Sequence, residues 1–147
     1  MRTCFIILFF LVFFQSCEIF YCGDYEYIPF INNSDDTIIV LSSKSFPDTL
    51  LPKSLFDYAL DNFVCPKQYA YNLIEITDIQ KSDTIIFFVI TENIFLSNSW
   101  NNIRENNLIS ARYILSCDEL KKLNYRVSFP PNDKMVDMNI YFKKDTK

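Results

Sequence analysis

The eight residues Thr84 to Thr91 (TIIFFVIT) constrain this chain more than any other segment. Beyond the first twenty residues no stretch is as apolar. A run without polar alternation reads as a central strand, because an exposed face would need a polar residue at every second position. At 147 residues there is length for one core and no room for a second domain of ordinary size. Around the central strand the pattern gives shorter elements. Tyr25 to Ile31 reads as a strand that Pro29 confines to a sheet edge. Asn32-Asn33-Ser34-Asp35-Asp36 reads as a turn and Thr37 to Leu41 as a second strand, the two strands forming a hairpin. Ser42 to Lys53 is a loop. Ser54 to Asn62 reads as a short helix capped by Ser54. A strand is expected within Lys67 to Ile79, then a turn at Lys81-Ser82-Asp83.

Later in the chain, Asn98-Ser99 caps a helix from Trp100 to Asn106 with Trp100 and Ile103 inward. Ile109 to Leu115 is a strand. Ser116-Cys117-Asp118-Glu119 is a capping box, in which hydroxyl and carboxylate satisfy each other's backbone N–H groups. It opens a helix from Cys117 to Leu123 with Leu120 and Leu123 inward. Tyr125 to Phe129 is a strand stopped by Pro130-Pro131. The alternation of Val136, Met138, Ile140 and Phe142 makes Met135 to Phe142 the last strand. The expected fold is mainly β (α+β): a single antiparallel, sandwich-like domain over 25–142, with two short helices in the C-terminal half and a polar tail at 143–147. The aromatic content, Phe 15, Tyr 9 and Trp 1, reads as the filling of that interior.

The N-terminus has a different character. Met1-Arg2-Thr3 gives a short positive start, and Cys4 to Phe14 is an unbroken apolar run of eleven. As a helix eleven residues reach about 16 Å against a hydrocarbon core of about 30 Å, so the run is short for a membrane span and has the layout of a signal peptide. Its exit, Phe14-Gln15-Ser16-Cys17, resembles a bacterial lipobox. That resemblance implies cleavage after Ser16, acylation of Cys17, a lipidated tether at 17–24 and attachment to the outer membrane. The alternatives are a plain cleaved signal peptide and an uncleaved single-span anchor, the latter opposed by Glu18, whose charge at depth costs about 2.5–3.5 kcal/mol.

Composition removes several function classes. The chain has no histidine, so no His-based triad, His metal ligand or imidazole switch is available. Its one glycine, Gly23, rules out a P-loop or a dinucleotide fingerprint. Acidic residues outnumber basic ones by 18 to 14, which argues against nucleic acid as a partner. No CxxC pair exists, so neither a zinc site nor any other metal or cofactor is expected. With Cys17 acylated, Cys22, Cys65 and Cys117 remain, and Cys22–Cys65 is the candidate disulfide. Asp57 and Asp61, and the Asp35-Asp36 pair, lack the two contrasting environments that acid–base catalysis needs.

A second resemblance covers most of the mature chain and concentrates in residues 99–131. Ser99-Trp100-Asn101-Asn102-Ile103-Arg104, then Arg112-Tyr113-Ile114-Leu115-Ser116, then Asp118-Glu119-Leu120, Leu123-Asn124-Tyr125 and Phe129-Pro130-Pro131 resemble a family of small lipoproteins of Bacteroides-type bacteria. Phe46-Pro47-Asp48-Thr49 is similar to their early loop. The family implies no catalytic residue. Read from the residues alone, Trp100, Ile103, Tyr113, Leu115, Leu120 and Leu123 are core, while Arg104 and Arg112 are surface or ion-paired. Asp36-Thr37, Asp48-Thr49 and Asp83-Thr84, each followed by an aliphatic residue, are similar to an O-glycan acceptor motif of that lineage, which makes Thr37, Thr49 and Thr84 candidate acceptors. The expected function is that of a lipid-anchored, non-catalytic binding or structural module of the cell envelope, its partner an envelope protein or glycan. The alternative is a small exported enzyme or enzyme inhibitor using the 46–62 loop.

Overall fold

A computed structural model describes residues 27–53, 63–70 and 83–143. The leader, Cys17, Cys22, the 17–24 tether and the helix expected at 54–62 lie outside the described residues. The strands are β1 (Phe30–Asn32), β2 (Ile38–Ser43), β3 (Phe63–Val64), β4 (Tyr69–Ala70), β5 (Thr84–Thr91), β6 (Ala111–Ser116), β7 (Val127–Phe129) and β8 (Asn139–Phe142). The helices are α1 (Glu92–Ser97), α2 (Trp100–Glu105) and α3 (Cys117–Lys122), with a 3-10 turn at Asp133–Met135. The strands form two sheets, ordered β4-β1-β7 and β3-β2-β5-β6-β8. The domain is thus mainly β and sandwich-like, as the sequence led one to expect. The larger sheet is antiparallel throughout, whereas β1 and β7 pair in parallel.

β5 is the central strand, hydrogen-bonded to β2 on one side and β6 on the other. Its unbroken apolar run has a direct cause: both faces of the large sheet are covered. Ile85, Phe87 and Val89 point toward the small sheet and pack with Val40, Tyr113, Phe30 and Val127. Ile86, Phe88 and Ile90 point the other way and pack with Ile39, Leu41, Leu51, Ile103 and Ile109 under α1 and α2. Phe30 of the small sheet meets Phe87 and Tyr113 of the large one at centroid distances of 5.6 and 5.7 Å. Such ring pairs contribute about 0.5–1.5 kcal/mol beyond their buried area.

The helices are set by local chemistry. The Ser99 hydroxyl accepts from the Asn102 N–H, and both halves of the capping box at Ser116 and Glu119 are made. Each of these helices ends with an asparagine in the left-handed region, Asn107 at φ 49° and Asn124 at φ 51°. Leu108 N–H bonds back to the Ile103 carbonyl, and Tyr125 N–H to that of Leu120, closing both ends in the Schellman pattern. Glycine usually fills that position, and in this chain the short polar side chain of asparagine does so instead. Ile103, Leu120 and Leu123 are buried as expected. Trp100 is half-buried against the α1–α2 side of the core, and its indole N–H is buried with no hydrogen-bond partner among the described residues. Trp100→Phe, which removes the orphan donor and keeps a smaller aromatic ring in place, is therefore expected to cost clearly less than Trp100→Ala, about 1 against about 3 kcal/mol, as read from urea unfolding midpoints.

Several sequence expectations are corrected. β1 and β2 do not form a hairpin; they belong to different sheets. The cause is Asn32, fully buried, whose side chain binds the connection and β3 rather than leaving the chain free to fold back. β1 is not an edge but lies between β4 and β7. Pro29 stands just before the first residue of β1, so its missing N–H removes none of that strand's ladder bonds, and its carbonyl accepts from Val127 at 3.2 Å. The last strand begins at Asn139, not Met135. The 3-10 turn, pinned by Lys134 N–H donating to Asn132 Oδ1, puts Met135 in the core and leaves Val136 76% exposed. α1 and β3 were not anticipated, and β2 runs on to Ser43.

Arg104 and Arg112 are half-buried and hold a loop rather than standing on the surface. Arg104 Nε donates to the Leu51 carbonyl at 3.3 Å and Arg112 Nη1 to the Thr49 carbonyl at 3.0 Å. The Arg112 guanidinium also lies 5.6 Å from the centroid of the Tyr141 ring.

Candidate functional site

Four strand ends of the large sheet meet in one row. Ile38 pairs with Thr91, Val89 with Ala111, and Ala111 with Phe142. Backbone bonds tie that row together: Glu92 N–H to the Thr37 carbonyl (3.0 Å), Ser110 N–H to that of Val89 (2.8 Å) and Lys143 N–H to that of Ser110 (3.0 Å). Beside it lies the end of β7, where the Phe129 carbonyl accepts from Asn33 at 2.7 Å. A cleft of about 460 Å³ opens between them, lined by Asp36, Thr37, Thr91, Glu92, Asn93, Ile94, Ser110, Phe129, Phe142 and Lys143. This size falls within the range of about 300–1,000 Å³ usual for small-ligand sites.

Several rim side chains make no hydrogen bond among the described residues, although Asn93 Oδ1 accepts from the Ser97 hydroxyl at 3.3 Å. Thr91 occupies the N-cap of α1, yet its hydroxyl makes no capping bond. Among the described residues no hydrogen bond or ion pair engages the carboxylates of Asp36 and Glu92 or the hydroxyl of Thr37. The Ser110 hydroxyl accepts from Thr91 N–H at 3.3 Å and keeps its own hydrogen for donation. One wall is aromatic: the Phe129 and Phe142 rings stack at 5.8 Å and 23°, with Phe129 buried and Phe142 44% exposed. The lining thus offers two carboxylates, three hydroxyls, one amide, one ammonium and an open ring face.

Of the three candidate acceptors only Thr37 enters this cleft, together with Asp36 of the same motif. Thr49 lies in the loop held by Arg112, and Thr84 opens β5; all three candidate acceptors are half-buried. Cys65 is an exposed free thiol at the turn between β3 and β4, and Cys117 is a half-buried one at the start of α3. The described part of the 46–62 loop packs Leu51 into the core and exposes Phe46 and Leu50. A second hollow, lined by Asp83, Ser116, Cys117, Asp118 and Lys121, holds an exposed ion pair in which Asp118 raises the Lys121 pKa by hydrogen bonding.

Sequence reasoning missed Thr91, Glu92, Ser110, Phe129 and Phe142 as site residues. They come from four separate segments, and no spacing rule joins them. Among the described residues there is no group of three or more Cys, Asp or Glu side chains that could hold a metal ion, and no helix long and apolar enough to cross a membrane. Comparison with protein-family models, with curated proteins and with solved structures finds no match for this chain.

Proposed function

We propose that this chain is a lipid-anchored protein of the cell envelope, a non-catalytic binding module that presents the cleft at the Thr37–Thr91–Phe142 end of the sandwich to its ligand. The observation that carries this reading is the direction of β1. β1 pairs in parallel with β7, with Asn32 opposite Phe129, and Phe129 lines the cleft. Both strands therefore run toward the cleft. Tyr27, the described residue nearest Cys17 in the chain, precedes β1 at the far end.

Tyr27 lies ten positions after Cys17. Fully extended, such a segment spans at most about 36 Å, so an acylated Cys17 would keep the domain close to the bilayer with the cleft turned away from it. The lipobox-like Phe14-Gln15-Ser16-Cys17 supports the anchor, and two or more acyl chains would make it stable. The resemblance of residues 99–131 to small Bacteroides-type lipoproteins belongs to the same proposal, as does outer-membrane location. The lack of histidine supports the non-catalytic part.

The test is metabolic labelling with an alkyne fatty acid in a Gram-negative host. Wild type is expected to carry label and to need detergent for release. Cys17→Ala is expected to lose both properties completely. Equal labelling of the two chains, or wild type that washes free without detergent, would end this reading.

A further inference from the structure

We infer that the cleft takes a neutral saccharide, with the pyranose C–H face on Phe142 and the ring hydroxyls on Glu92, Asp36, Thr91 and Ser110. This deepens the reading of the cleft as a ligand site and rests on it. The argument begins with the aromatic wall. Phe142 stacks on Phe129, lines the cleft and is 44% exposed. A large ring left open beside polar groups suits a ligand with both an apolar face and many hydroxyls. A pyranose is such a ligand: its axial C–H bonds form a flat apolar patch, and its rim is a ring of hydroxyl groups.

The polar lining matches that rim in kind. Each sugar hydroxyl donates one hydrogen bond and accepts others. A carboxylate accepts from two neighbouring hydroxyls at once, a Ser or Thr hydroxyl does both, and an amide offers a donor and an acceptor on separate atoms. Among the described residues the carboxylates of Asp36 and Glu92 and the hydroxyl of Thr37 are uncommitted, and that of Thr91 makes no cap. Charge selects within the class. Two carboxylates face one ammonium, Lys143, so an anionic sugar would meet net repulsion. A purely apolar ligand would leave these groups desolvated and unpaired, at a cost.

The experiment uses the full chain in a sugar-free detergent, with saturation-transfer NMR and calorimetric titration. The neutral probes are maltotriose, mannotriose and di-N-acetylchitobiose. Trigalacturonate and spermidine serve as the anionic and cationic arms. At least one neutral probe is expected to bind, with transfer to its ring C–H protons. Phe142→Ala and Glu92→Gln are each expected to weaken that binding at least about tenfold, with unchanged circular dichroism. Lys121→Ala, in the other hollow, is expected to bind as wild type. Glu92→Gln keeps the test open should loss of the Phe142 ring disturb β8.

Absence of binding by all neutral probes overturns the inference, and so does wild-type affinity in both Phe142→Ala and Glu92→Gln. Trigalacturonate or spermidine binding in their place also overturns it, while leaving the cleft a ligand site. The anchor is judged separately, by label on Cys17.

Discussion

Asn32→Leu is expected to destabilise the domain by about 3–5 kcal/mol, seen as a large drop in the urea midpoint with little change in slope. Asn32 is fully buried at the end of β1. Its Nδ2 donates to the carbonyls of Asp36 (2.8 Å), Val64 (2.9 Å) and Cys65 (3.2 Å). Its Oδ1 accepts from the backbone N–H (3.0 Å) and hydroxyl (2.6 Å) of Ser34. One side chain thus joins the small sheet to β3 of the large sheet and fixes the connection that leads into the cleft. Leucine has a similar volume but none of these bonds. A buried backbone group left without a partner costs about 1–3 kcal/mol, which falls in full on the Val64 carbonyl and in part on the part-buried bonds to Asp36, Cys65 and Ser34. Asn32→Asp is the sharper control. It keeps the shape and the acceptor, yet places a carboxylate against three carbonyls that need a donor. It should be at least as damaging at neutral pH and partly recover in acid, where the carboxyl group regains a hydrogen. A loss below about 1 kcal/mol for Asn32→Leu would mean that water or a shifted loop replaces the amide, and that the two sheets are held by packing alone.

Tyr113→Phe is expected to show a stability deficit that shrinks as the solution becomes alkaline. Tyr113 is fully buried in β6, and its hydroxyl donates to the Ser128 carbonyl of β7 at 3.0 Å. Ser128 is itself buried, so at pH 8 the phenylalanine variant leaves that carbonyl unpaired at a cost of about 1–3 kcal/mol. Burial pushes the Tyr113 phenol far above its ordinary range. The unfolded tyrosine ionises near pH 10, while the folded one keeps its proton. Above that pH the unfolded state binds fewer protons than the native state, so stability falls as pH rises, by about 1.4 kcal/mol per unit. This contribution is fully present below pH 10 and is lost through the alkaline range. Phenylalanine lacks it. The gap between wild type and variant should therefore narrow by about 1.4 kcal/mol between pH 8 and pH 11. A gap that stays constant across that interval would show that the phenol reaches solvent.

The parts of the fold legible in the sequence are those whose causes lie within a few residues. The capping box at Ser116 and Glu119 is one. The Ser99 cap and the inward Ile103, Leu120 and Leu123 are others, because a helix turn brings residues three and four apart together whatever surrounds it. β5 was legible because a strand with both faces covered carries no polar alternation. The alternation across Val136 to Phe142 misled, since a period of two appears over a 3-10 turn as readily as over a strand in so short a stretch. The Arg104 and Arg112 contacts were illegible for a different reason: their partners, Leu51 and Thr49, lie 53 and 63 positions away.

By itself, then, the order of residues determined the local elements, the aromatic and aliphatic interior, the mainly β class, and the exclusion of histidine- and glycine-dependent chemistry. Only the tertiary structure decided which strands became neighbours. It sent β1 and β2 to different sheets, laid β1 parallel to β7, and gathered Asp36, Glu92, Ser110, Phe129 and Phe142 around one cleft. Pairing between strands depends on distant backbone groups and on single buried side chains such as Asn32. Their partners are fixed in space by the packing of the whole domain, and nothing within reach along the chain records them.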